Sequence, residues 1–500
     1  MTAADPAPAK EPTTGPQSAP GTRPALRRSL SVWQAVGLSI ALMAPSMAAN
    51  INPQGTATSV GRAVPLAFLI ATIGVLLVAY VFVRLCQRFN HAGSVYAFVA
   101  ATLGARAGTV AGWSLMGTYC FYGVVTSTAA GIFGTSFLKT SGIWPEPPDW
   151  APFLLSCLAL VLVWLLTVIP VRGGTRVLLS VEGITVALIL VVSVVVLVHL
   201  VSGTAPGGLR PTWNVFRVAP GTDSSTVFLG AVFGFLSFAG FEAAATLGEE
   251  ARHPRKDIPR AILGTAIFGG AYFVFVTAVE VMGFGTDAAG VDAFTKSSSL
   301  LGDLGTRYVG AWVGDLISLG AAISAFGCAL ACAVGGSRLL FALSRDAAGE
   351  RGLGRITKAG TPAAAAVAVV LAMYLIVAVL ALGAGSSAMD VFLASGTIGT
   401  LILLVVYLVT TIGAIRLLFF TAPRTVPMYE IAVPLLALVV LGYTLFRNVV
   451  PYPTGTSASY PLVAGGWIVL GIVAVALVPG LSRFALREDL TAPTAVPAQQ

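Results

Sequence analysis

The feature that most constrains this chain is a succession of apolar runs, each about as long as a bilayer is thick. A hydrocarbon core of about 30 Å takes roughly 20 apolar residues as a helix. Passed along the 500 residues, that window marks twelve candidate spans: 33–56, 64–84, 107–136, 151–171, 177–200, 225–247, 261–283, 310–337, 361–383, 391–415, 427–447 and 461–481. Gly and Pro inside several of them are compatible with this reading, because neighbouring helices in a membrane satisfy the backbone groups they free. The composition agrees: 56% of the residues are hydrophobic and 10% charged, against roughly 25% charged in soluble domains. A soluble globular enzyme, a disordered chain and a nucleic-acid binder built on basic patches are thereby excluded. The expected fold class is all-α integral membrane, with the lipid bilayer as partner and no nucleic acid.

The positive-inside rule sets the orientation. With a cytoplasmic N-terminus, 22 of the 29 Lys and Arg fall in inner segments and 7 in outer ones. A wrong span count would scramble that split, so twelve spans with both termini inside a cytoplasmic membrane are expected. Residues 1–30, rich in Ala, Pro, Thr and Ser, read as a disordered cytoplasmic tail and not a signal peptide, which would carry its own apolar run. A twelve-helix domain over 31–483 and a second cytoplasmic tail over 484–500 follow. Cys86, Cys120, Cys157, Cys328 and Cys332 make an odd count within or beside apolar runs, which argues for packing and against a disulfide framework. Cys328 and Cys332 share a helical face at i, i+4, with no His or acid at ligand spacing, so no metal or other cofactor is expected.

Two spans carry interruptions. Span one reads GLSIALMAPSMAANINPQG, with Pro45 near its middle and Ser46 placed to cap an outer half-helix. A simple proline kink is the plainer alternative for this span. Span six reads STVFLGAVFGFLSFAGFEAAATLGEE, with Gly240 between Phe238 and Phe241, and Glu242 inside the apolar stretch. An intramembrane carboxylate is costly and is functional by default; a Glu hydrogen-bonded only for structure is the alternative. The two interruptions stand five spans apart, in corresponding places of two five-span halves. That pattern points to a binding site at the bilayer midplane. A half-helix exposes free N–H groups at its start and free C=O groups at its end, which attract a carboxylate and an ammonium respectively.

Four stretches together resemble the amino acid–polyamine–organocation permease family. These are FAGFEAAATLGEEARHPRKDIPRAILG at span six, HAGSVYAF after span two, SRLLFALSRDAAGERGLGRITKAGTP after span eight and, more loosely, span one. The resemblance covers roughly residues 30–480. It implies a LeuT-like fold, with a 5+5 inverted repeat (about 33–200 and 225–415) and helices 11 and 12 appended over 427–481. It also implies substrate at the two breaks: Met43, Ala44, Pro45, Ser46, Met47 and Ala48 on span one, and Phe238, Ala239, Gly240 and Phe241 on span six. Glu242 falls where some members place a gating or proton-sensing acid, and Tyr119 on span three is a further substrate position. The chain departs from the family at Ala44-Pro45-Ser46-Met47, where many members have Gly-Ser/Thr-Gly. Proline supplies no N–H, so one donor fewer awaits an α-carboxylate, and amines or other carboxylates stay open. A second departure is on span five, where some proton-coupled members carry a Lys and this chain has Ile189. Span eight offers Ser318 and Ser324 but no adjacent hydroxyl pair for a sodium cage.

Other polar residues complete the expectations. Glu182, a turn and a half into span five, either snorkels toward Arg176 or Arg172 or serves as a coupling group. Glu280 and Asp315 read as interfacial. Glu249, Glu250, Arg252, Arg255, Lys256 and Asp257 form an inner loop that is either solvated or a gate latch. No P-loop, HExxH or GxSxG pattern has its required context, which disfavours ATP-driven pumping and hydrolysis. The expected function is secondary transport of an amino acid or related small amine by alternating access, with protons as the expected coupling ion. A substrate/product exchanger of the same fold, and a channel or membrane sensor, are the alternatives. The oligomeric state is open.

Overall fold

The computed structural model describes residues 32–89, 94–168, 174–247, 251–348, 352–355, 357, 361–422, 424, 426–478 and 480. Both expected tails, and Glu249 and Glu250 of the inner loop, lie outside them. Sixteen α-helices follow one another with no strand among the described residues. They are α1 (Val32–Met43), α2 (Pro45–Val60), α3 (Val64–Arg88), α4 (Ser94–Leu103), α5 (Ala105–Thr140), α6 (Ala151–Val168), α7 (Gly174–Ser202) and α8 (Thr226–Phe238). The second half holds α9 (Pro254–Phe284), α10 (Ala288–Lys296), α11 (Leu300–Tyr308), α12 (Ala311–Ala348), α13 (Ala363–Ala378), α14 (Ala388–Phe419), α15 (Ala432–Arg447) and α16 (Ser459–Leu477). Among the described residues, ten helical stretches are long and apolar enough to cross a bilayer. The first, Val32–Arg88, runs through α1, α2 and α3, and α8 is a shorter apolar helix of 13 residues.

The helices divide into an inner group and a lipid-facing group. α5 packs along both α12 and α14, α3 along α8 and α9, and α2 against α8. α6, α15 and α16 bury few of their side chains, as helices that meet lipid do. α2 is the exception in composition. It carries Ser46, Asn50, Asn52, Gln54 and Thr56, yet all five are buried. Four of the five make side-chain hydrogen bonds, while Ser46 Oγ, Asn52 Oδ1 and Gln54 Oε1 have no partner. Asn50 Nδ2 donates to Ser46 O (2.9 Å), while its Oδ1 accepts from Ser299 Oγ and Leu301 N (both 3.0 Å). Gln54 Nε2 donates to Ser297 O (2.8 Å), and Thr56 Oγ1 to Gly230 O (2.9 Å). The polar helix is thereby tied to α8 and to the segment that opens α11.

The last helix is fastened to α5 by a reciprocal pair. The Trp113 and Trp467 rings stack at 4.6 Å and 11°, and each indole N–H donates to the other's backbone carbonyl (2.9 and 3.1 Å). Close approach requires glycine beneath each ring. A Cβ on Gly117 would lie 2.2 Å from the Trp467 indole nitrogen, and one on Gly471 would lie 2.4 Å from Trp113. Trp467→Ala removes the stack and the bond that its own indole donates to Trp113 O, which together are worth about 2 kcal/mol. Thermal unfolding of the detergent-solubilised protein should show a lowered midpoint for Trp467→Ala and an unchanged one for Val469→Ala, an exposed position on the same helix.

Candidate substrate site

The break in span one is built by its proline. α1 ends at Met43 and α2 starts at Pro45; Ala44 between them has φ 44° and ψ 58°, the one non-glycine residue with positive φ among those described. Proline pushes the preceding residue out of the right-handed helical region, and its fixed φ and missing N–H suit the first position of a new helix. A left-handed alanine costs about 1–2 kcal/mol, so its surroundings must hold it there. Few backbone groups are freed: Ala44 N–H still donates to Ile40 O (3.0 Å), and Ala44 O accepts from Ala48 N–H (2.9 Å).

Span six parts differently. α8 stops at Phe238, and the chain continues through tight turns into a 3₁₀ helix, Ala243–Leu247. Phe241 N–H donates to Phe238 O (3.0 Å) and Ala243 N–H to Gly240 O (2.9 Å). Within the described residues, the second half-helix is thus a short 3₁₀ turn. Gly240, at φ 100°, lies directly against the end of α1: a Cβ on it would be 2.6 Å from Leu42 Cβ and 3.1 Å from Leu42 C. Ser39 staples the same junction. Its hydroxyl donates to Phe241 O and accepts from Ala244 N–H, both at 3.1 Å. Cys328 S–H donates to Leu42 O (3.1 Å), taking up a carbonyl at the end of α1.

A cavity with about 50 Å³ of free volume opens where these breaks meet. That is room for a few waters, so a larger guest enters only if side chains or helices move. Of the residues singled out from the sequence, Met43, Met47, Tyr119, Ala239, Gly240 and Glu242 line it. Ala44, Ser46, Ala48, Phe238, Phe241 and Glu182 do not. The two phenylalanines turn into the scaffold: Phe238 packs edge-on to Phe273 of α9 (5.4 Å), and Phe241 sits between Phe82 (6.0 Å) and Tyr407 (6.1 Å). Glu242 is the one carboxylate in the lining, and its Oε2 has no hydrogen-bond partner.

The sequence reading missed several lining residues. Asn52 donates from Nδ2 to Ser237 Oγ (2.7 Å) and leaves Oδ1 unpartnered. Tyr122 bonds Thr400 through its hydroxyl (2.9 Å). Cys328 and Cys332 also face the cavity. Their i, i+4 spacing was visible, but the face of α12 that meets the breaks was not.

Two acids sit elsewhere than expected. Glu182 is buried and turned to span one, while Arg172 and the side chain of Arg176 lie outside the described residues. Glu182 itself is 4% exposed, and its Oε1 accepts from Ser46 N–H at the start of α2 (2.9 Å). Glu280 is fully buried on α9, not interfacial, and neither of its oxygens has a partner. Asp315 is half-exposed and accepts from the Thr140 hydroxyl. In the inner loop, Asp257 accepts from His253 N–H (3.1 Å).

Two broken helices meeting at a buried cavity within a helical membrane fold describe a transporter's architecture, and the profile of the amino acid permease family matches residues 32–481. The chain belongs to that family. It is therefore a permease of the amino acid–polyamine–organocation superfamily, a multi-pass membrane protein and not an enzyme. The permease is 27% identical over 260 residues to the low-affinity putrescine importer PlaP of Escherichia coli (strain K12), covering 51% of this chain and about half, 54%, of that protein. It is 27% identical over 332 residues to the branched-chain amino acid permease BcaP of Bacillus subtilis (strain 168), covering 64% and 68%. It is 25% identical over 340 residues to the methylthioribose transporter of the same organism, covering 66% and 70%.

Gly240→Ala should disturb the site by driving a methyl into α1 and straining the backbone, at roughly 2 kcal/mol or more. Gly264→Ala, on a helix and with nothing within 4 Å of its Cβ, is the control. Thermal unfolding should separate the two; equal midpoints would show that α1 yields without cost.

Proposed function

We propose that this permease is a secondary active transporter that carries an amino acid or a related small amine across the cytoplasmic membrane by alternating access. Twelve spans, a 5+5 inverted repeat and cytoplasmic termini complete the proposed architecture. The observation that carries the reading is the unpartnered Glu242 Oε2 in the cavity where the two breaks meet. An ammonium leaving water needs a paired anion, and a single carboxylate in the lining suits one amino group better than a chain of several. Of the stretches Ala44–Ala48 and Phe238–Phe241, substrate is proposed to lie against Met47, Ala239 and Gly240, which line the cavity, with Tyr119 facing it. Gly335 on α12 leaves space beside the Tyr119 ring, 3.2 Å from where its Cβ would stand. Protons are the proposed coupling ion and Glu242 the proposed carrier. No Lys or Arg lines the cavity with it, so a proton or the substrate ammonium is its available counter-charge.

The test is uptake of a radiolabelled panel of amino acids and amines into proteoliposomes, with and without an imposed pH gradient. Saturable uptake, raised by an acidic exterior, is the expected result, with competition by single-amine compounds stronger than by spermidine. Glu242→Gln should lose the pH response and at least about tenfold in kcat/KM. Flux that never saturates would favour a channel. A Glu242→Gln protein that accumulates substrate with the wild-type pH dependence would move the coupling role to another group or to exchange.

A further inference from the structure

The start of α2 holds a surprise in its hydrogen-bond ledger. A helix opens with N–H groups that have no partner inside it, and in broken transporter helices such groups face anionic parts of the substrate. Here Pro45 has no N–H, and Ala48 N–H is already satisfied by Ala44 O (2.9 Å). Two donors remain, on Ser46 and Met47, and the protein itself takes both. Ser46 N–H donates to Glu182 Oε1 (2.9 Å), and Met47 N–H to Ser324 Oγ (3.4 Å). Glu182 comes from α7, 136 residues away, and Ser324 from α12, 277 residues away; both are buried.

We propose that Glu182 is a resident carboxylate standing where a substrate carboxylate would otherwise bind, and that it restricts this permease to cationic amines that lack a carboxylate. The inference rests on the transporter reading above and names its substrate class. A substrate carboxylate arriving at α2 would find no free N–H, because Glu182 and Ser324 already hold both donors. The opposite need is met: Glu242 offers an unpartnered oxygen to an ammonium in the cavity. The site is therefore supplied for a cation and closed to an anion, and a zwitterion satisfies only half of it.

Pairs of compounds differing only by the carboxylate give the test: isoamylamine with leucine, phenethylamine with phenylalanine, histamine with histidine. Uptake and competition are measured in proteoliposomes of the full-length protein. The wild type should take at least one amine and discriminate against its parent amino acid by about a hundredfold or more. Glu182→Ala, which frees Ser46 N–H and opens room beside it, should shift that ratio toward the amino acid by at least about tenfold. Glu182→Ser, too short to reach Ser46 N–H, should shift the ratio in the same direction, and it serves if the alanine variant does not fold. Preference of the wild type for the amino acid member of the pairs overturns the inference while leaving the transporter reading intact. So does an unchanged ratio in a folded Glu182 variant. If the wild type takes neither member of any pair, the proposed function fails and this inference with it.

Discussion

A bilayer offers no water to a broken helix, so every N–H and C=O that a break releases must find its partner inside the protein. That constraint governs the centre of this permease. The two breaks are placed against each other, and the groups they free are taken up by side chains from other helices. Ser39 serves two backbone groups of the span-six turns, Cys328 takes the Leu42 carbonyl, and Glu182 and Ser324 take the first amides of α2. Removal of any one of these partners leaves a buried polar group unpaired, which costs on the order of 1–3 kcal/mol. The irregular backbone is therefore held by tertiary contacts, and the left-handed Ala44 is stable only inside them.

How much of this was legible in the sequence follows from the range of each interaction. Pro45 announces its break locally, because proline acts on its own φ and on the residue before it. Glu242 and Gly240 were legible because a carboxylate and a flanked glycine are out of place in an apolar run. The orientation of Phe238 and Phe241 was not: a helix that ends at Phe238 and turns twice has no period to extrapolate, and both rings pack into α9, α3 and α14. The partner of Glu182 is hidden for a related reason: distance along the chain points to the arginines a turn or two away, whereas its partner amide lies 136 positions off. Glu280 looked interfacial by its place near the end of a span, but α9 continues to Phe284 and its burial is set by neighbours. Pattern predicts how far a residue lies along a helix and leaves open which side of the helix meets what.

The buried polar helix α2 illustrates why these contacts matter beyond stability. α2 is fixed in register by directional bonds that join Asn50, Asn52, Gln54 and Thr56 to Ser299, Ser237, Ser297 and Gly230. The half of span one that lies beyond Ala44 is thus tied to α8 and to the approach to α11. The half before it is tied through Ser39 to the turns after α8. Span one is held at two addresses with a single left-handed residue between them.

That arrangement gives the break a mechanical meaning. The present cavity, about 50 Å³, has room for a few waters. Loading of the proposed substrate would require the walls to part. Gly240 lies close against Leu42 at the end of α1, where an added Cβ would come within 2.6 Å of Leu42 Cβ and 3.1 Å of Leu42 C. Separation of α1 from the span-six turns would carry Met43 and Ala239 apart together, while α2 stays on its hydrogen-bonded partners. The carboxylate of Glu182 would then move with neither α1 nor the turns, since it is bonded to the fixed half. Glu242, which belongs to the turns, would be the acid that changes its surroundings during the motion. Selection by the first acid and coupling by the second, as proposed above, fit that division.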